Sequence, residues 1–323
     1  MNFRTQIPTG TSTPLSAHAK IDHKSKILLL GSCFTENIGE KFEYFKFQNT
    51  INPFGILFHP KAIEKLITDS INQKKYTDTD VFFHNERWHC FDAHSDLSNP
   101  SKEDLLEKLN ATIVSTHQYL KNTTHIIITL GTAWVYRQIE TDCIVANCHK
   151  IPQKKFLKEL LSVDEITASL ENIVALVKSV NPKIQFIFTV SPVRHLKDGF
   201  TENSLSKAHL IASILQVLKE NSSLSEVEGY FPSFEIMMDD LRDYRFYKSD
   251  MIHPNQTAIN YIWEHFKSTW INQNSFGIMN QIDTIQKGLS HRPFNKKSEQ
   301  HQLFLENLQS KIENLKSQHN ITF

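Results

Sequence analysis

Two short segments near opposite ends of the chain hold the residue types that nucleophilic catalysis needs. In the first, Gly31-Ser32-Cys33-Phe34 stands between a short apolar run and a helix-like pattern. A side chain at such a strand-to-helix turn is presented at the strand end, and the first backbone N–H groups of the helix point into the same space. That suits a nucleophile and the oxyanion it generates. Taken alone, a Ser before a helix is more often only an N-cap. In the second segment, Asp250-Met251-Ile252-His253 precedes the helix that begins near Gln256. An Asp three residues before a His lets the carboxylate accept from Nδ1 and leaves Nε2 free as a base. Taken together, Ser32, Asp250 and His253 form a hydroxyl, carboxylate and imidazole set for acyl transfer.

Other candidates carry less. The 16 histidines invite a metal reading at His84, His89, Cys90 and His94, with His149 after Cys148. Their spacing matches no ligand signature, and Phe82, Phe83, Trp88 and Phe91 around them point to a packed strand pair or a pocket lip. Neither metal nor cofactor is expected. His59, Arg137, Arg194 and His195 follow apolar runs or turns and are placed to line a cleft. There Arg194 suits a carboxylate or phosphate, or a solvated ion pair, and Trp134 suits a sugar ring or packing between sheet and helix. With 9 glycines, no G-x-G-x-x-G and no P-loop spacing after Gly31, nucleotide binding loses ground.

The elements that must position these residues are short apolar strands alternating with helices. Apolar runs at 26–30, 125–130, 184–190 and 226–231 end at Gly31, Gly131, Ser191-Pro192 and Pro232. Apolar residues at steps of three and four mark helices over 61–72, 102–120, 163–180, 204–220 and 256–270, and a helix-like pattern runs from Thr35 to Phe45. This alternation implies an α/β fold with a mostly parallel sheet covered on both faces. Ligands then sit beyond the carboxyl ends of the strands. Residues 76–100 and 136–160 fit poorly and read as insertions able to shape a pocket wall. Near the end, Leu305, Leu308, Ile312 and Leu315 repeat at helical spacing, an amphipathic helix that is docked or paired.

Composition bounds the function. The 323 residues are 40% hydrophobic, enough for a folded core. Lys plus Arg (35) equal Asp plus Glu (35), so the basic excess that nucleic acid or an anionic membrane would attract is missing. No apolar stretch approaches the roughly 20 residues that span a bilayer, and no secretion signal is visible. The four scattered cysteines read as reduced thiols, which suggests a cytoplasmic protein.

The chain resembles the GSCFA domain proteins, grouped with the SGNH/GDSL-type esterases and lipases. The resemblance rests on Gly31-Ser32-Cys33-Phe34-Thr35-Glu36-Asn37, Asn52-Pro53-Phe54-Gly55-Ile56, Gly131-Thr132-Ala133-Trp134, Ser191-Pro192-Val193-Arg194 and Asp250-Met251-Ile252-His253-Pro254, and covers about residues 22 to 270. It implies a flavodoxin-like three-layer α/β/α fold and serine-dependent ester hydrolysis. Ser32 would match the nucleophile, with His253 and Asp250 matching the base and its orienting carboxylate. Asn52 or Gly55 would supply the second-block oxyanion donor. The third block has Gly131-Thr132-Ala133 where an Asn is usual, so the Thr132 hydroxyl or a backbone N–H there would substitute, and Cys33 replaces the aspartate of the GDS motif. Cys33 is the rival nucleophile, a thiol at a helix start. Adjacent turn residues point in different directions, and the resemblance puts Ser32 in the nucleophile's register, leaving Cys33 to pack behind the turn.

The expected organisation is an N-terminal lead (1–21), a hydrolase-like domain (22–285) and a C-terminal amphipathic helix (286–323). The expected activity is hydrolysis or transfer of an acyl ester on a small molecule, carbohydrate or lipid. The alternative is a non-catalytic ligand- or carbohydrate-binding protein on the same fold. Partners are limited to the substrate and to another copy paired through the C-terminal helix.

Overall fold

Strand β1 (Lys26–Gly31) is apolar from Ile27 to Leu30 and buried from Ile27 onward. A run buried on both faces belongs in the interior of a parallel sheet, where helices cover each side. The computed structural model describes residues 20–220, 228–319 and 321–323. Residues 1–19, most of the expected lead, and residues 226–227, the start of the fourth expected strand, lie outside them.

The core follows as α1 (Cys33–Tyr44), β2 (Gln48–Ile51), α2 (Pro60–Ile71), the hairpin β3 (Val81–His84) and β4 (Arg87–Cys90), and α3 (Lys102–Asn122). Next come β5 (His125–Leu130), the strands β6 (Trp134–Gln138), β7 (Cys143–Val145) and β8 (Phe156–Leu160), α4 (Val163–Val180), β9 (Gln185–Val190) and α5 (Phe200–Glu220). The described chain continues with β10 (Glu228–Phe231), the single turn α6 (Ser233–Glu235), α7 (Gln256–Trp270), α8 (Asn274–Ser290) and α9 (Glu299–His319).

The central sheet runs β10-β9-β5-β1-β2, and every pairing is parallel. Among its own members this is the flavodoxin-like doubly wound order, whose direction of winding reverses between β1 and β5. Alternate residues of β1 serve opposite faces. Leu28 and Leu30 pack with Ile63 and Leu66 of α2, Leu109 of α3, Leu170 of α4 and Leu210 of α5. Ile27 and Leu29 pack with Phe34 and Phe42 of α1 and Trp263 and Phe266 of α7. The result is a three-layer α/β/α architecture.

Edge strand β2 escapes the apolar-run criterion because its sequence, Gln48-Asn49-Thr50-Ile51, is only partly covered. The two poorly fitting stretches form β structure of their own. Asn85 and Glu86, at φ 47° and 59°, turn the β3–β4 hairpin with the paired positive φ angles of a tight two-residue loop. Strands β7-β6-β8 form a separate antiparallel sheet.

The C-terminal region holds two helices. Helix α8 packs Ile282 and Ile285 against Leu308 and Leu315 of α9, so α9 docks on its own chain. Leu315 is wholly buried there. Leu315→Ala is therefore expected to cost about 2–4 kcal/mol and to speed proteolysis beyond residue 290. Unchanged thermal denaturation and proteolysis would contradict this packing. No described helix is long and apolar enough to cross a membrane.

Candidate active site

Gly31 ends β1 at φ 137°, its N–H donating to Asn52 Oδ1 at 2.9 Å. A Cβ there would lie 2.1 Å from the Thr129 carbonyl oxygen, the same oxygen that accepts the Ser32 N–H at 3.0 Å. The chain thus turns abruptly from β1 into α1 while still bonded to β5. Ser32 is the N-cap of α1: its Oγ accepts from the Phe34 N–H at 3.4 Å, and the residue is 0% exposed. Cys33, the next residue, is partly exposed and lines a cavity of about 540 Å³ beyond the carboxyl ends of β1, β5 and β9.

His253 lines the same cavity. Asp250 Oδ1 accepts the N–H groups of Ile252 and His253, each at 2.9 Å, and its Oδ2 accepts from His253 Nδ1 at 2.7 Å. The N–H groups of His253 and Ile252, then the imidazole, hold the Asp250 carboxyl down to about 2, so it is ionised at any working pH. Donation from Nδ1 leaves Nε2 as an acceptor. Arg194 donates to the Met251 carbonyl at 2.8 Å and lies over the Tyr247 ring, bracing this turn from the cavity wall. The sequence-expected Ser32 and the Asp250–His253 pair therefore reach one end of the sheet. No hydrogen bond joins Ser32 to His253, and the turn residue that shares the cavity with the imidazole is Cys33.

The expected oxyanion donors fare unevenly. The N–H groups of Gly131 and Thr132 both donate to the Phe58 carbonyl, at 2.8 and 3.1 Å, and the Gly55 N–H donates to Asn52 O at 2.7 Å. The Thr132 hydroxyl lines the cavity but accepts from Trp134 N–H and shares a hydrogen with Ser206 Oγ. Asn52 is different: it is 8% exposed, and its Nδ2 is buried without a partner while Oδ1 holds Gly31.

One residue that sequence reasoning passed over, and one that it placed on the cleft wall, stand close by. Lys207 is 2% exposed and donates to the carbonyls of Gly131 and Ser191, at 2.7 and 2.8 Å. Burial pulls its ammonium down to about 7 against the opposing pull of Cys33 and Glu235. A signal did exist. Lys207, Leu210, Ile214 and Val217 recur at steps of three, four and three, so the lysine sits on the buried stripe of α5. His195, noted only as a cleft-lining residue, lies with Nε2 3.4 Å from where a Gly131 Cβ would be, and burial, then Lys207, push it down to about 4.

The far wall is built by the β6–β8 insertion, through Tyr136, Val145 and Cys148. His59, N-cap of α2, accepts the Ala62 N–H at Nδ1 and donates from Nε2 to the Val145 carbonyl, both at 3.1 Å. This pairing needs the neutral ring, and burial holds His59 down to about 4. Above about pH 6.5 the ring is neutral in folded and unfolded chains alike. Between about 6.5 and 4 the unfolded chain binds a proton that the folded chain refuses, so stability falls by about 3 kcal/mol. Urea midpoints at pH 7 and pH 4.5 should diverge less in His59→Gln than in the parent protein, and an identical divergence would refute the assignment.

Of the other candidates, Arg137 pairs with Glu159 at 3.0 Å. Trp134 lines the cavity, its indole N–H donating to the Glu202 carbonyl and Lys158 lying over its ring. His149 donates from Nε2 to the Cys90 carbonyl at 2.7 Å and meets Ser95 Oγ at Nδ1, while His89 stacks on Phe82. Among the described residues, no group of three or more His, Cys, Asp or Glu is arranged to hold a metal ion.

Fold and site together define a doubly wound α/β protein with a Ser-Cys turn and a carboxylate-oriented imidazole at one carboxyl-edge cavity. The model of the GSCFA family matches residues 26–266, and that of the GSCFA domain protein, C-terminal domain, matches residues 282–323. The chain belongs to the GSCFA family. A search of curated proteins finds no match.

Proposed function

We propose that this cavity hydrolyses, or transfers, the acyl group of an ester on a small molecule, carbohydrate or lipid, in the manner of the SGNH/GDSL-type hydrolases that the sequence resembles. The observation that carries the reading is the 2.7 Å Asp250–His253 pair, which leaves a bare imidazole nitrogen on a residue lining the cavity that Cys33 also lines. A base so oriented takes the proton of a hydroxyl or thiol from the Ser32-Cys33 turn as that group attacks the ester carbonyl. The same imidazole returns the proton to the leaving alcohol, and water then releases the acyl group. The unpartnered side-chain Nδ2 of Asn52 and the N-terminus of α1 supply positive potential beside the turn for the developing oxyanion. Phe58, Val193 and Ile252 on the cavity wall suit a small apolar acyl group.

The test is hydrolysis of p-nitrophenyl acetate by the purified protein, compared with His253→Ala. Acceleration that disappears in the variant supports the enzyme. A protein inert toward this ester and toward a fluorophosphonate probe supports the ligand-binding alternative. The serine-dependent form of the proposal makes its own demand: Ser32→Ala must then lose nearly all turnover.

A further inference from the structure

We infer that the attacking atom at this site is Sγ of Cys33, with Ser32 serving as the cap that aims it, so that the covalent intermediate is a thioester. This deepens the acyl-transfer reading and rests on it.

Cys33 lines the cavity together with His253, whereas Ser32 is 0% exposed and absent from the lining. The Ser32 Oγ also accepts the Phe34 N–H at 3.4 Å as the N-cap of α1. Bringing that hydroxyl into the cavity would uncap the helix. Its Cβ also lies 3.2 Å from the space a Gly131 Cβ would fill, so the serine is wedged against the β5 turn.

The surroundings of Cys33 fit the task. It is the first residue of α1, where the helix dipole acts in favour of a thiolate. Burial, then Glu36, raise the thiol, while Lys207 and the N–H groups of Cys33 and Phe34 oppose them. A thiol kept protonated in this way needs a base to attack, and His253, oriented by Asp250, stands on the same cavity. Lys207 bonds the carbonyls of Gly131 and Ser191, which places its buried amino group beneath the turn. Asn52, held to Gly31 through Oδ1, keeps its buried side-chain NH2 unpaired beside it.

The step balances without an oxidant or reductant. The Cys33 S–H proton passes to His253 Nε2 as sulfur bonds to the ester carbon and the carbonyl π pair moves to oxygen. Collapse of that adduct breaks the C–O bond, and the alcohol leaves with the proton from His253. Water then adds to the thioester, its proton going to His253, and the C–S bond breaks as Cys33 recovers its proton and the acid departs.

The intact protein is mixed with p-nitrophenyl acetate, quenched in acid and read by peptide mass spectrometry. An acetyl group on the peptide containing residues 32 and 33 that neutral hydroxylamine releases is a thioester, and Cys33→Ala should abolish it with about a 10²-fold or greater loss of turnover. An acetyl group that resists neutral hydroxylamine and survives Cys33→Ala is an oxygen ester on Ser32. That result overturns the inference and leaves the ester-hydrolysis proposal standing. A second measurement needs no substrate. Iodoacetamide should alkylate Cys33 at least about five-fold more slowly in His253→Ala than in the parent, while the exposed Cys143 reacts equally in both. A Cys33 rate that ignores His253 overturns the inference even for a protein inert toward p-nitrophenyl acetate, an inertness that would itself count against ester hydrolysis.

Discussion

His253→Ala is expected to lower kcat/KM for p-nitrophenyl acetate by about 10² to 10⁴-fold, the range for removal of a positioned general base. The imidazole has no substitute in place. His59 and His195, the other two histidines on the cavity, are both pushed down to about 4, His59 by burial and His195 by burial and then Lys207, so both are poor proton acceptors. Asp250→Asn should fall in the same direction, because an amide that donates to Nδ1 favours the tautomer whose proton sits on Nε2. Its loss should be smaller, since Asp250 is 44% exposed at the side chain and water has access to the ring. Near-UV circular dichroism should be unchanged in both variants, since the pair lies on an exposed turn. Parent-like hydrolysis by His253→Ala would remove the reason for reading the cavity as a hydrolytic site.

Gly31→Ala is expected to be the most damaging single-methyl change in the molecule, at about 3 kcal/mol or more. Two independent costs combine. The φ of 137° is a conformation that L side chains rarely adopt. The new Cβ would also sit 2.1 Å from the Thr129 carbonyl oxygen, which cannot withdraw without breaking the Ser32 N–H bond to it. The damage falls on the β1–β5 register and on the Ser32-Cys33 turn at once. Gly277 in α8 is the control: a Cβ there meets nothing within 4 Å, and Gly277→Ala should be neutral or stabilising by up to about 1 kcal/mol. Urea denaturation of the two variants measures both. Equal midpoints would show that the turn tolerates what its geometry forbids.

Much of the frame is legible in residue order because local physics fixes it. Helices α4 and α7 span the residues that apolar periodicity marks, 163–180 and 256–270, since Ser162 and Asn255 cap them at the first periodic residue. Strands β1, β5 and β9 stand out as apolar runs because both their faces are covered. Strand β2 and the β6–β8 sheet do not stand out, because edge and antiparallel strands leave polar residues on open faces. Helix α8 does not stand out in the sequence, because its apolar residues make sense only once α9 covers them.

The sequence alone determined the α/β alternation, the turn after β1 and the Asp250–His253 pair, whose members lie three residues apart and bond within one turn of chain. Tertiary structure decided the rest. It brought residue 33 and residue 253 to one cavity and occupied the Gly131 and Thr132 N–H groups with the Phe58 carbonyl. It buried a lysine whose two carbonyl partners come from separate strand ends. It also turned Ser32 inward and Cys33 outward. The reason is that spacing specifies partners only when they are near neighbours along the chain, while burial and free hydrogen-bonding capacity depend on what distant segments bring alongside.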